Sequence, residues 1–250
     1  MNESRVFRRR ENMSLLPQNV HPSWNGFLTS DILALLDGIE TAIGDRYQPQ
    51  KDKILRFLET DFTNVKIIIL GQDPYPEAGV ATGRAFEVGT LESWFQPFRQ
   101  VSLKNIIRLI YISEKGIGSN SKVPTFSGIL AEMKKGNFKL AEPAQLFSCL
   151  EKQGVLFLNT YFTVIPGKPL SHKEIWQSFT ERLLIWISSK NPEINWFLWG
   201  KNAQSFKPFI LHGNFYESRH PMMCSETYSD DFLKSDCVKK TSDLVNWTGL

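Results

Sequence analysis

The segment GQDPYP (71–76) presents an acid in a restricted backbone. Within it, Pro74 follows Asp73 and Pro76 follows Tyr75, and the whole segment follows a strongly apolar run. Proline fixes its own φ angle and restricts the preceding residue, so the Asp73 carboxylate and the Tyr75 ring are predicted to have little freedom. A carboxylate held in this way can stabilise positive charge or activate a water molecule. Because Asp before Pro is also a common turn starter, a turn without function explains the segment equally well.

Two further polar residues lie at or near the ends of apolar runs. Asn159 ends the run 154–159, and His220 lies near the end of the run 215–221. An amide side chain can pair with an acceptor and a donor at once, and an imidazole can donate a hydrogen bond to a developing oxyanion. Each residue also has a common structural explanation, since an asparagine often caps the turn after a strand and a lone histidine is more often structural or exposed.

Four short apolar runs alternate with amphipathic stretches and are predicted to position these residues. The stretches 102–116 and 174–191 carry apolar residues at helical spacing, which predicts helices. The alternation predicts an α/β fold: a single domain with a central, four-stranded, mainly parallel sheet and helices on both faces. Ligands bind beyond the carboxyl ends of the strands in such sheets, so residues after each strand are candidate site residues. The predicted strands are VKIIIL (65–70), GVLFLN (154–159), INWFLWG (194–200) and FYESRHP (215–221).

The composition is that of an ordinary globular protein. The chain has 250 residues, of which 42% are hydrophobic and 22% charged, which is enough for one large domain. We expect residues 1–20 to be a flexible basic tail and residues 21–250 to be the folded domain. Residues 116–128 (GIGSNSKVPTFSG) predict a surface loop. The net charge of +3 permits contact with phosphates but does not require it.

Several classes of protein are not favoured. Cys149, Cys224 and Cys237 have no CxxC or Cys/His spacing, so we expect free thiols and neither a disulfide framework nor a zinc site. No apolar run approaches the roughly 20 residues that span a bilayer, and the first residues lack the apolar core of a secretory signal. We therefore expect no membrane contact and an intracellular protein.

GQDPYP (71–76) resembles the water-activating GQDPYH motif of the main uracil-DNA glycosylase family, whose second signature is HPSPLS. The resemblance continues in order over nearly the whole chain. It implies the uracil-DNA glycosylase fold and a monofunctional hydrolase that cleaves the N-glycosidic bond of flipped-out uracil, starting base excision repair without metal or cofactor. The further similar segments are ATGRAFEV (81–88), SLKNI (102–106), GVLFLNTYFTV (154–164), SHKEIWQSFT (171–180), WFLWGKNAQ (196–204) and HPMMCS (220–225).

The resemblance also implies partners. These are uracil-containing single- or double-stranded DNA and, as a candidate, a protein inhibitor that mimics DNA. A monomer is expected.

The resemblance assigns the chemistry to three residues. Asp73 would stabilise the oxocarbenium-like sugar and orient or activate water, and His220 would donate to O2 of the departing base as a neutral imidazole. Asn159 would pair with O4 and N3–H of the base and so select uracil over cytosine.

Three other residues are assigned to the base by the same resemblance. Phe86 would stack on it, and Tyr75 would leave no room for the C5 methyl group of thymine. Gln72 would contact the base or a water molecule. From its position alone, Phe86 would instead be predicted as core filling.

Contacts to DNA phosphates are expected from polar and backbone groups in loops, which position the DNA without recognising its sequence. The candidates are Ser102, Gly200, Lys201 and Ser225, each of which could equally be an ordinary cap or surface residue.

The sequence departs from the family pattern at three places. Pro76 replaces a histidine, which removes a contact near the acid. Cys224 stands where a leucine wedge normally enters the base stack, so Met222 or Met223 would replace it, or flipping from duplex DNA would be poorer. We therefore expect a preference for single strands, which need no unpairing. The loop QPFRQVS (96–102) has a single proline and is expected to be less rigid.

Two alternatives stay open at this point. The altered loops are also compatible with a DNA clamp or processivity subunit that keeps the fold with weak or no catalysis. A glycosylase for another damaged base is the second alternative. A nucleotide-binding module is disfavoured, because neither GxGxxG nor GxxxxGK[ST] occurs.

Overall fold

A computed structural model describes residues 15–118, 123–225 and 227–250. Most of the predicted tail, residues 1–14, lies outside this range. Leu15, which falls within the segment predicted as tail, is buried in the core. The packed part of the chain therefore includes residue 15.

The described residues form four strands and seven α-helices, joined by loops and short 3-10 helices. The strands are β1 (Ile67–Gly71), β2 (Val155–Asn159), β3 (Asn195–Trp199) and β4 (Asn214–Ser218). The helices are α1 (Ser30–Ile43), α2 (Val101–Glu114), α3 (Phe126–Lys134), α4 (Pro143–Lys152), α5 (Lys173–Lys190), α6 (Lys201–Ser205) and α7 (Cys237–Lys240).

The four strands make one sheet in the order β2-β1-β3-β4, and each neighbouring pair is parallel. The predicted single-domain α/β architecture with a parallel four-stranded sheet is thus confirmed. All residues of β1, β2 and β3 are buried, which explains why their sequences are almost continuously apolar. Strand β4 lies at an edge and is more exposed.

Core residues pack on both faces of the sheet. Along β1, Ile68 and Leu70 belong to the cluster that includes residues of α1 and α5, whereas Ile67 and Ile69 belong to the cluster that includes residues of α2 and α4. This division follows from the strand repeat, in which successive side chains point to opposite faces. The prediction of helices on both faces is confirmed.

The predicted element boundaries differ from the observed ones by a few residues. The predicted fourth strand runs to residue 221, but β4 ends at Ser218, so His220 lies in the following loop. The predicted loop 116–128 overlaps α3, which begins at Phe126 because the Thr125 hydroxyl accepts a hydrogen bond from the Gly128 amide at 3.2 Å. Residues 119–122 of this loop lie outside the described residues.

Candidate active site

A cavity of about 420 Å³ opens at the carboxyl ends of the strands. The loop after β1 leads toward β2 and the loop after β3 leads toward β4 on the other side, so the sheet order reverses between β1 and β3. Open parallel sheets bind ligands at such a reversal. Ten of the twelve sequence-predicted site residues line the cavity: Gln72, Asp73, Tyr75, Phe86, Ser102, Asn159, Gly200, Lys201, His220 and Met223.

Asp73 is held at both carboxylate oxygens. Its Oδ1 accepts a hydrogen bond from the Gln72 side chain at 3.1 Å, and its Oδ2 accepts one from the backbone N–H of Leu170 at 2.6 Å. Burial nevertheless raises the pKa of Asp73, since the loss of hydration outweighs the opposing effect of the two donors. A carboxyl group with a raised pKa is a better base than an exposed aspartate.

The donor to Asp73 has a strained backbone. Leu170 has a φ of 61°, a left-handed conformation that is unfavourable for a residue with a bulky side chain. Its loop is fixed to the Asp73 segment by the Gly167 amide, which donates to the Pro76 carbonyl at 2.9 Å. The Gln48 side chain donates to the same carbonyl at 2.7 Å. Pro76 thus anchors this segment through its backbone.

Phe86 also has a left-handed backbone, with a φ of 65°. Its ring centroid lies 5.7 Å from that of Trp199 and 6.0 Å from that of His220. Strained residues of this kind persist when the surrounding structure fixes them, and they cluster at ligand sites. The sequence reasoning named Phe86 but not its conformation.

An ion-pair network includes residues on either side of Phe86 in the chain. It was not predicted from the sequence. The Arg84 guanidinium pairs with Glu87 at 3.0 Å and also contacts Glu151 of α4. The side chains of Arg84 and Glu87 are each only 8% exposed. Because Arg84 lines the cavity, the network connects the Phe86 loop to the helix layer.

Asn159 presents its amide to the cavity from the end of β2. The residue is 3% exposed, and among the described residues its side chain has no hydrogen-bond partner. A Cβ atom at Gly71 would lie 2.7 Å from the Asn159 Oδ1, so this close approach requires glycine. A nearly buried amide without a protein partner is suited to a polar ligand.

The hydrogen bond at His220 defines its tautomer. The Nδ1 atom accepts the backbone N–H of Met222 at 3.2 Å, so the proton of the neutral ring resides on Nε2. Burial lowers the pKa of His220, which favours this neutral form. Gly200 packs against the ring with a φ of 92°, and a Cβ atom there would lie 2.8 Å from the His220 Cβ.

Tyr75 lies in the cavity wall with its hydroxyl group buried. Among the described residues, this hydroxyl has no hydrogen-bond partner. Burial raises the pKa of Tyr75, so the phenol is neutral. The ring is held by packing rather than by a hydrogen bond.

The loop after β4 continues into a 3-10 helix, Pro221–Met223, at the cavity mouth. Met222 and Met223 line the cavity and are each 58% exposed. In contrast, the cavity wall includes neither Cys224 nor Ser225. The Cys224 thiol turns inward and donates to the Pro221 carbonyl at 3.2 Å, and the Ser225 amide donates to Asp231 at 2.6 Å.

The remaining predicted DNA contacts lie at helix beginnings. Ser102 is in the first turn of α2, and Lys201 begins α6 directly after Gly200. Within the described ranges, we find no group of three or more His, Cys, Asp or Glu residues arranged to hold a metal ion. No helix in the described part of the chain is long and apolar enough to span a membrane.

Comparison with known protein families identifies the chain. The model of the uracil DNA glycosylase superfamily matches residues 58–242. The chain belongs to this superfamily. The family expected from the sequence motifs is therefore confirmed.

Curated relatives agree with this assignment. The uracil-DNA glycosylase of Mycobacterium tuberculosis (strain ATCC 25618 / H37Rv) is 32% identical over 210 residues, which cover 82% of this chain and 79% of that protein. The uracil-DNA glycosylase of Brevibacillus brevis is 29% identical over 193 residues, which cover 76% of this chain and 72% of that protein.

Solved structures share the fold of this glycosylase. The UNG structure from Nitratifractor salsuginis has a TM-score of 0.70 at 22% identity and covers 98% of this chain and 99% of that one. A mimivirus UNG variant in complex with UGI has a TM-score of 0.58 at 18% identity, covering 89% of this chain and 73% of that one.

Proposed function

We propose that this glycosylase hydrolyses the N-glycosidic bond of uracil in DNA and thereby starts base excision repair. The observation that carries the proposal is the convergence of three side chains from three strand ends on one cavity. Asp73 follows β1, Asn159 ends β2 and His220 follows β4. The curated relatives named uracil-DNA glycosylase support the same reaction.

The chemistry divides between the acid and the imidazole. As the C1′–N1 bond breaks, the base leaves with the bonding electron pair and the sugar becomes positively charged. Asp73 stabilises that charge and accepts a proton from the water whose oxygen adds to C1′. The Nε2–H of His220 donates to O2 of the base, where the negative charge accumulates. The uracil anion takes up a proton from solvent and Asp73 returns its proton to solvent, so the products are free uracil and an abasic site in an intact strand.

Base selection is assigned to the remaining wall of the cavity. The unpaired Asn159 amide donates to O4 and accepts N3–H of uracil, a pattern that cytosine does not offer. Phe86 stacks on the base and, because any base can stack, adds affinity without selectivity. The Tyr75 ring occupies the space beside C5 and excludes thymine, while Gln72 holds Asp73 and contacts the base or water.

DNA is bound at the mouth of the cavity. Phosphate contacts are assigned to Ser102, Gly200, Lys201 and Ser225, of which Ser225 acts from outside the cavity wall. Met222 and Met223 present exposed apolar side chains that can enter the vacated base stack, a role for which the inward-facing Cys224 thiol is poorly placed.

We expect a monomer that acts in a DNA-containing compartment. Because the related mimivirus UNG forms a complex with UGI, we propose that the cavity mouth also accommodates a protein that mimics DNA.

Base specificity provides the test of this proposal. Release of the free base is measured from single-stranded oligonucleotides that carry one uracil, thymine, cytosine or hypoxanthine. The parent protein should release uracil alone, and Tyr75→Ala should also release thymine. Tyr47→Ala, which truncates a partly buried tyrosine outside the cavity, should keep the parent specificity. Release of hypoxanthine without uracil would indicate a different lesion, and DNA binding without any release would indicate a DNA clamp.

A further inference from the structure

One face of α2 points toward the loop that carries His220. Ser102, Asn105 and Arg108 are three residues apart and therefore lie on one side of this helix. Ser102 lines the cavity, and α2 packs against the 3-10 helix Pro221–Met223. Asn105 lies between them and is 6% exposed.

The side chain of Asn105 connects α2 to this loop. Its Nδ2 donates to the Pro221 carbonyl at 2.6 Å. Its Oδ1 accepts a hydrogen bond from the Arg108 guanidinium at 2.8 Å, which establishes which end of the amide faces Pro221. Arg108 is itself held by the Pro124 carbonyl, to which its Nε donates at 2.9 Å.

Pro221 lies within a set of hydrogen bonds that connect His220 with the two methionines. Pro221 directly follows His220 and precedes Met222, whose amide donates to the imidazole. The Met223 amide donates to the His220 carbonyl at 2.8 Å, and the Cys224 thiol donates to the Pro221 carbonyl. A displacement of Pro221 would therefore move both the imidazole and the two methionines.

We infer that Asn105 is a positioning residue that sets the place of His220, acting through the Pro221 carbonyl. This inference rests on the proposed glycosylase function for its kinetic consequence. Asn105 does not line the cavity, so it acts on the site only through the loop it holds. The same bond makes the Ser102 end of α2 and the His220 loop a single unit, so both DNA-facing segments keep a fixed spacing.

The test compares two buried asparagines. Asn105→Ala removes the bond to Pro221. The control, Asn195→Ala, removes a bond of the same kind, since the buried Asn195 amide donates to the Lys66 carbonyl at 3.2 Å at the opposite end of the sheet. Thermal unfolding identifies a temperature at which both variants are folded, and uracil release is measured there.

The kinetic readout is a double-mutant cycle with His220→Ala. Asn105→Ala should lower kcat about tenfold with little change in KM, whereas Asn195→Ala should leave both near the parent values. In the His220→Ala background, Asn105→Ala should lower kcat by less than about twofold, because the imidazole that Asn105 positions is gone. An equal loss in both backgrounds would overturn the inference.

A second readout does not depend on turnover. In protein with isotope-labelled histidine, the His220 ring signals are assigned by their loss in His220→Ala. Asn105→Ala should shift these signals and Asn195→Ala should not. Unshifted signals in Asn105→Ala would refute the positioning role even if the parent releases uracil. If Asn105→Ala shifts these signals but the parent releases no uracil, the proposed function is refuted and the positioning role stands.

Discussion

At the residue scale, burial shifts the two central groups of the cavity toward their neutral forms. It lowers the pKa of His220 and raises the pKa of Asp73. A neutral imidazole keeps its Nε2 proton available as a hydrogen-bond donor while Nδ1 accepts the Met222 amide. A less hydrated carboxylate is a stronger base toward water, but its ionised form destabilises the folded chain.

Asp73→Asn is therefore predicted to stabilise the protein while abolishing uracil release, because its amide oxygen can still accept from Leu170 and the Gln72 amide can turn to accept from the new NH2 group. Because the folded pKa lies above the unfolded value, stability falls as the pH rises through the ordinary carboxyl range to the raised pKa, and stays lower above it. At neutral pH the variant should melt higher by on the order of 2 °C, and the difference should shrink in acid. Thermal unfolding across pH tests this, with the exposed Asp45→Asn as control. A lower melting temperature at neutral pH would contradict it.

Gly200→Ala is predicted to displace His220. Its φ of 92° is unfavourable for alanine, and the new Cβ would lie 2.8 Å from the His220 Cβ. Gly136→Ala is the matched control, because Gly136 has a φ of 75° but open space around it. Both variants should lose about 1 kcal/mol or more of unfolding free energy, but only Gly200→Ala should also lower kcat. Denaturant unfolding establishes that both variants are folded under the assay conditions. Equal kcat values for Gly200→Ala and Gly136→Ala would then contradict a packing effect on His220.

At the scale of elements, the sequence predicted β1, β2 and β3 because buried parallel strands are short, almost continuous apolar runs. It did not predict α3, since the Gly/Ser-rich run 116–128 predicts a loop and hides the cap at Thr125. The convergence of Asp73, Asn159 and His220 was predictable, because parallel strands bring their carboxyl ends to one edge.

The supports of the site were not predictable from the sequence. Arg84 and Glu151 are 67 positions apart, and no local pattern pairs them. The left-handed backbone of Leu170 has no glycine or asparagine to indicate it. Asn105 lies in the SLKNI segment, but the target of its amide, Pro221, is 116 positions away. Such pairings depend on the complete fold.

Arg84→Met is predicted to destabilise the loop of Phe86 and the whole domain. It would leave the buried carboxylate of Glu87 and the partly buried carboxylate of Glu151 without their cation, at a cost of about 3–5 kcal/mol. The exposed pair Lys135–Glu132 offers the control, since Lys135→Met should cost less than about 1 kcal/mol. Urea unfolding measures both. A loss below about 1 kcal/mol for Arg84→Met would show that the network does not stabilise this layer.

At the scale of the whole molecule, one sheet and two helix layers bring loops from all four strands around a single cavity. The loop after β4 adds the two exposed methionines at its mouth. At the mouth they can act on the opening of the duplex rather than on the cleavage of the glycosidic bond. A single-stranded substrate needs only the cleavage step.

The double variant Met222→Ser/Met223→Ser is predicted to impair duplex substrates selectively. Without apolar side chains to fill the vacated stack, release of uracil from duplex DNA should fall about tenfold, and release from single strands should change little. Cys224→Ser is the control, since a serine hydroxyl can still donate to the Pro221 carbonyl. Equal losses on both substrates would indicate that the methionines act on the cavity and not on the duplex.

The most direct measurement is release of free uracil from single-stranded and duplex oligonucleotides by the parent and by Asp73→Asn, with DNA binding measured on the same samples. We expect release by the parent alone, faster from single strands, and binding by both proteins. Release by Asp73→Asn at the parent rate, or binding by the parent without any release, would contradict this expectation.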